Sequence, residues 1–381
     1  MAQWQHNPIT ERAGTPPAEG KPVAFAWEHD HTQHIVYRGN DSQLHELWYR
    51  KDFGANWKDG GVLTQIAGAP QAAGSPSAYA WESEKTQHIV YRGADSQIHE
   101  LWFKKDLLGG HWNYGGAISA NVGAPAAAGD PYGYVWEGDQ TQHIVYRGTD
   151  NNIHELWFKR DLTGGHWNYN GQINVKAGSP AAAGDPAGFA WESDKTQHIV
   201  YRGSDNQIHE LWFKHDGLAN QWAYGGALSS NTHAPAAAGN PMGYSWEDDH
   251  TQHVVYRGTD DQIHELWFKK DLLGAHWNYG GALSANTGAP HAAGDPCGYV
   301  WDGDKTQHIA YRAADNQVHE LYFKKGMTGG GSWQHGTSLS QSANAPAAAS
   351  DPEGYAWEGD GTQHVVYTGA DSQVHELWFK H

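Results

Sequence analysis

The chain has 381 residues, a formal net charge of −18 and a single cysteine, Cys297. The negative balance argues against nucleic acid and anionic membranes as partners. A lone cysteine forms no disulfide within the chain, so Cys297 is either buried and inert or paired between subunits. No run approaches the roughly 18 apolar residues of a membrane span, and the start, Met1-Ala2-Gln3-Trp4, has neither the basic nor the apolar part of a secretory signal. The expectation is a soluble protein made in the cytoplasm, whose release would need a non-classical route.

In chain order the first recognisable element is Trp4-Gln5-His6, which matches Trp333-Gln334-His335 far downstream. The tripeptide Thr-Gln-His then occurs seven times, ending at His34, His88, His143, His198, His253, His308 and His364, at intervals of 54 to 56 residues. Each copy sits in a longer phrase, read here from the second. Ala78-Tyr79-Ala80-Trp81-Glu82 leads to Thr86-Gln87-His88-Ile89-Val90-Tyr91-Arg92-Gly93. Ile98-His99-Glu100-Leu101-Trp102-Phe103 follows, and Trp112-Asn113-Tyr114-Gly115-Gly116 ends it. These are four runs of strand length, separated by turn chemistry. Gly129-Asp130-Pro131 precedes a first run, Gly93-Ala94-Asp95 joins the second to the third, and Leu107 to Gly110 or Leu272 to Ala275 joins the third to the fourth. A four-stranded sheet of this size cannot bury its own two faces and must stack on copies of itself.

The last phrase stops at Leu377-Trp378-Phe379-Lys380-His381, after a third run, whereas the chain begins with an unaccompanied fourth run. The N-terminal strand therefore completes the last unit and closes a ring, which removes exposed edges. The fold expected is all-β: a single seven-bladed β-propeller over residues 1–381, with four antiparallel strands per blade. The fourth run is outermost. The first lines the axis, where the small residues Ala126-Ala127-Ala128-Gly129 suit crowding.

Within each blade a histidine of the second run and a glutamate of the third recur twelve residues apart. The pairs are His34 and Glu46, His88 and Glu100, His143 and Glu155, His198 and Glu210, His253 and Glu265, His308 and Glu320, His364 and Glu376. Two hairpin registers are open. A three-residue tip sets His88 opposite Glu100, and a two-residue tip turns His88 to the other face; the Gly at the start of the tip favours the first. The pair either satisfies two buried polar groups or clamps a hydroxyl-rich ligand. In the second case the fourth-run tryptophans (Trp57, Trp112, Trp167, Trp222, Trp277, Trp333 and Trp4) supply a flat wall for the C–H face of a sugar. Arg92 and its copies, replaced by Thr368 in the last, suit salt bridges to a neighbouring blade. Exposed copies of the repeated histidines would charge near pH 6.

Catalysis is not expected. The chain has no Gly-x-Ser-x-Gly, phosphate loop or His-Glu-x-x-His, and seven equivalent glutamates are not the differentiated carboxylates of an active site. No metal and no cofactor are expected; Asp-x-Asp-x-Asp-Gly calcium spacing is missing.

The phrase Thr-Gln-His-Ile-Val-Tyr-Arg-Gly, then Ile-His-Glu-Leu-Trp-Phe, then His-Trp-Asn-Tyr-Gly-Gly resembles the Photorhabdus fucose-binding lectins over essentially residues 2–381. The resemblance implies a seven-bladed propeller that forms dimers or tetramers and binds L-fucose or O-methylated sugars between blades. A looser similarity to six-bladed fucose lectins carries their sugar-holding Glu onto Glu100, their Trp onto Trp112 and their Arg onto His88, the last a departure. Trp57 lacks the following Asn-Tyr, Ser332 stands before Trp333 and Tyr322 replaces a Trp, so fewer than seven sites are implied. The expected function is a multivalent lectin for fucosylated or O-methylated glycans. The rival is a propeller scaffold for protein partners, with the His–Glu pairs structural.

Overall fold

A computed structural model describes residues 3–53, 56–106, 109–160, 164–215, 221–271, 274–326 and 331–380. Leu107, Leu108, Leu272 and Leu273, in the predicted third-to-fourth joins, lie outside them. The described residues form seven four-stranded antiparallel sheets arranged as a β-propeller. In the second blade the strands are Ser77–Trp81, Thr86–Arg92, Ile98–Asp106 and Gly109–Ala117. First strands of successive blades touch one another, so they line the axis as expected. Gln5–Pro8 is the outer strand of the seventh blade, with His6 opposite Leu377 and Asn7 opposite Glu376.

Alternation along each strand divides its side chains between the two neighbouring blades. Ile89, Tyr91 and Leu101 pack toward Val36 and Leu44 of the first blade. Val90 and Ile98 pack toward Ile144 and Leu156 of the third. All of these are fully buried, each worth about 1.5–3 kcal/mol for the aliphatic ones. The core is thus seven apolar layers between blades.

The second-to-third hairpin departs from both predicted registers. Val90, not His88, lies opposite Glu100, and His88 lies opposite Trp102. The reason is the turn. Gly93 stays in the ladder, bonded to Gln97, and the tip is Ala94-Asp95-Ser96, with Ser96 at φ 60° and the Asp95 carboxylate accepting from the Gln97 N–H. The offset from the favoured register is two residues, an even number, so His88 and Glu100 still share a face.

Three features were not foreseen. After each fourth strand a single helical turn inserts a buried residue, Ile118 in Ile118–Asn121 and Ile9 in Ile9–Ala13. The next residue's side chain accepts a third-strand N–H: Ser119 from Ile98, and Thr10 from Val374. The Trp-Glu phrase also tethers blades, since the Glu82 carboxylate accepts from Glu28 N–H and Glu137 from Glu82 N–H. Third, the fourteen repeated histidines are all buried. Arg92, Arg147 and Arg312 do reach carboxylates of the following blade, Asp130, Asp185 and Asp351. Arg38 and Arg257 instead pair within their own blades, with Glu19 and Asp261. Cys297, first residue of its strand, is 1% exposed and its thiol is pushed up to about 12 by burial. That is the inert alternative, because thiolate chemistry needs access and a low pKa.

Candidate functional site

Each His–Glu pair forms, but diagonally across the hairpin. His88 Nδ1 lies 2.9 Å from Glu100 Oε1, and its Nε2 lies 2.8 Å from Thr86 Oγ1. The same two bonds recur at His34, His143, His198, His253, His308 and His364. With Nδ1–H donating to the carboxylate, Nε2 accepts from the threonine hydroxyl, and both ring nitrogens are used. The histidine orients the glutamate, and no ring nitrogen is left over to clamp a hydroxyl.

The tryptophan that meets Glu100 is not Trp112. A bulge between Glu100 and Leu101 shifts the fourth strand, so Trp112 sits opposite Phe103. That register turns it toward the first blade. There it donates to Glu46 Oε2 at 3.2 Å. Glu100 Oε2 receives its indole N–H from Trp167 of the third blade, at 3.1 Å. The rule holds at six of the seven glutamates, the other four bonds being Trp222 to Glu155, Trp277 to Glu210, Trp333 to Glu265, and Trp57 to Glu376. Trp4 packs against Phe379.

The result is a cleft between blades. Between the second and third it has a volume of about 350 Å³ and is lined by Trp81, Trp102, Phe158 and Trp167, with Thr86, His88 and Glu100 at its base and Gly115 at its side. Phe158 meets Trp81 edge-on at 6.3 Å. A cross-blade ion pair, Arg160 to Glu84, borders it. The equivalent cleft at His198 and Glu210 has about 370 Å³, with Lys270 and Asp194 2.5 Å apart. The one at His364 and Glu376 has about 570 Å³, with Lys51 and Asp360 2.6 Å apart.

Two contributors lie outside the His, Glu and fourth-run Trp positions expected to form the site. Trp102 and its counterparts Trp212 and Trp378 line the clefts. Their place opposite the histidine was legible only in the correct register. The first-strand Trp81, Trp191 and Trp357 are buried at the clefts, and their indole N–H groups have no acceptor among the described residues. No group of three His, Cys, Asp or Glu that could hold a metal occurs among the described residues. No helix among them is long and apolar enough to cross a membrane.

Chemically, a cleft of this kind offers apolar ring faces, a buried carboxylate held by two donors, and charged groups at the mouth. No family model matches the chain, and no curated protein matches it. Solved structures do. The chain is similar to the BP39L lectin from Burkholderia pseudomallei, with a TM-score of 0.70 and 12% identity over 95% of this chain and 96% of that one. It is also similar to the fucose-specific lectin from Aleuria aurantia, at 0.56 and 16% over 84% and 96%. A third is the SapL1 lectin in complex with α-methyl fucoside, at 0.55 and 15% over 84% and 97%. At these identities the likeness establishes the propeller fold.

Proposed function

We propose that this protein is a non-catalytic, multivalent carbohydrate-binding protein that takes L-fucose or O-methylated sugars in the clefts between blades. The observation that carries this reading is the cleft itself: Trp102, Phe158 and Trp167 around the Glu100 carboxylate. Apolar faces beside one oriented acceptor suit a ring with a C–H face and vicinal hydroxyls. The clefts at Glu100 and Glu210, of about 350 and 370 Å³, lie in the range of small-molecule sites. The lectins of similar fold, one fucose-specific and one bound to a methyl fucoside, support the choice of sugar.

In this reading Glu46, Glu100, Glu210, Glu265 and Glu320 accept sugar hydroxyls, the tryptophans stack, and the histidines position the carboxylates. Several weak sites on one rigid disk raise avidity by roughly 10² to 10⁴ against a glycan-covered surface. Assembly into dimers or tetramers would multiply them further. A glycan array followed by calorimetry with methyl α-L-fucoside tests the proposal. Retention of fucosylated or O-methylated glycans, with several sites per chain, is the expected result. An array blank for every such glycan would refute it and leave the scaffold reading, which the internally bonded His–Glu pairs favour.

A further inference from the structure

One position on the outer strand, next to the cleft carboxylate, differs between blades in a way that bears on which clefts work. It is glycine in five blades: Gly60, Gly115, Gly225, Gly280 and Gly336. It is asparagine in two: Asn170 in the third blade and Asn7 in the seventh. A Cβ placed on Gly60, Gly115, Gly225 or Gly280 would overlap the Oε2 atom of its own blade's glutamate, and at Gly336 it would stand 3.5 Å from Glu320 Oε2. In those four blades the carboxylate oxygen therefore occupies the space a side chain would take, and the outer strand offers it no side-chain donor at this position.

Asparagine covers it. Asn170 Nδ2 donates to Glu155 Oε2 at 2.5 Å, and Asn7 Nδ2 donates to Glu376 Oε2 at 2.8 Å. Each of these oxygens also accepts a tryptophan N–H, and each Oε1 accepts from histidine. Oε2 then has both of its acceptor positions filled. In the glycine blades Glu46, Glu100, Glu210 and Glu265 accept only the tryptophan at Oε2 among the described residues. Side-chain exposure follows: 0% and 2% for Glu155 and Glu376, against 5 or 6% for the other five.

We propose that this Gly/Asn position is the specificity-determining gate of each cleft. Glycine leaves an acceptor position of the carboxylate unfilled for a ligand hydroxyl, and asparagine fills it with the protein's own amide, so five carboxylates can take a hydroxyl and two cannot. A hydroxyl entering at Glu155 or Glu376 must displace a charge-assisted bond that is already made inside the protein. At Glu100 it adds a bond to an oxygen with a free acceptor position. The inference rests on the clefts being the sugar sites proposed above, but its chemistry needs only a hydroxyl donor.

Crystals of the full chain soaked in methyl α-L-fucoside, and separately in ethylene glycol, read occupancy cleft by cleft. Expected is ligand on Glu100 and Glu210 and none on Glu155 or Glu376. Titration of Asn170→Gly should add one site per chain, and Gly115→Asn should remove one. Asn170 shows that the fold accepts asparagine at this position, and at Gly115 its Cβ would displace the Glu100 carboxylate from the place it now holds. Diol on Glu100 but no fucoside anywhere would leave the gate standing and sink the sugar reading. Equal occupancy at Glu155 and Glu100, or diol in none of the clefts, would overturn the gate. So would unchanged stoichiometry in both variants.

Discussion

Trp167 donates its indole N–H to Glu100 across the boundary between the third and second blades, at 3.1 Å. The bond, whose partners are 67 residues apart in the chain, makes the Glu100 cleft a joint product of two blades. It also sets how single substitutions spread. Each blade serves one cleft through its glutamate and the neighbouring cleft through its tryptophan.

Trp167→Phe keeps the aromatic volume beside Phe158 and deletes the donor. Losing a bond to a buried carboxylate costs about 1.5–3 kcal/mol. Binding at the Glu100 cleft should weaken roughly tenfold or more, while the Glu210 cleft, served by Trp277, is unchanged. Trp112→Phe should do the same at Glu46 and spare Glu100. Cleft-by-cleft occupancy in crystals of the two variants checks the assignment, and an effect of Trp112→Phe on the Glu100 cleft would contradict it.

Glu100→Gln preserves shape but offers one acceptor oxygen where His88 and Trp167 present two N–H donors. One donor is left facing an amide NH₂, at a cost of about 1–3 kcal/mol. The variant should melt measurably lower and bind one fewer methyl fucoside per chain, with the remaining affinities intact. Calorimetric stoichiometry together with a thermal melt reads both effects.

Deletion of residues 1–10 removes the strand paired with Val374–Lys380, the buried Ile9 and the Thr10 hydroxyl that accepts from Val374 N–H. Ile9 alone contributes about 1.5–3 kcal/mol, and the exposed strand edge invites association. The melting temperature should fall by about 5 °C or more, or the protein should aggregate. An unchanged melt would mean the ring does not depend on its N-terminal strand.

Acid should loosen the same seam. His6 Nε2 lies 2.9 Å from His375 Nδ1, and burial, reinforced by His375 and Arg12, holds its pKa at about 4. A histidine whose pKa falls on folding contributes stability that is present above about pH 6.5 and lost as the pH drops toward 4. In blades two to five a tyrosine takes this place; Tyr114 OH bonds His99 Nδ1 at 2.7 Å. His6→Tyr should therefore flatten the fall in melting temperature between pH 7 and pH 4.5. Identical pH profiles for the two proteins would exclude His6 as the source.

A second acid-sensitive set lies at the hairpin tips. Burial pushes the Asp95 carboxyl up, but the His99 ring and the Gln97 N–H outweigh it and hold the pKa below its ordinary value. Asp41, Asp150, Asp205, Asp260 and Asp371 behave alike. Their contribution is present above about pH 4 and lost as pH falls further. A stability profile that stays flat below pH 4, in a variant carrying Asn at all six, against a falling one for the parent, would confirm the assignment.

The number of blades, the strand order and the closure by Gln5–Pro8 were legible in the sequence, because each depends on local periodicity and on which run the chain begins and ends with. The pairing of His88 with Glu100 was favoured by one of two open registers, and it survives because the observed register differs from that one by an even shift. Tertiary structure alone decided which tryptophan meets which glutamate. The bulge after Glu100 turns Trp112 to the first blade, and no alternation of residues within the phrase encodes a partner 67 positions away. It also decided what a glycine means. Gly115 and Asn170 differ by one side chain, and only the carboxylate of the adjacent strand beside them makes that difference one of a missing or present donor.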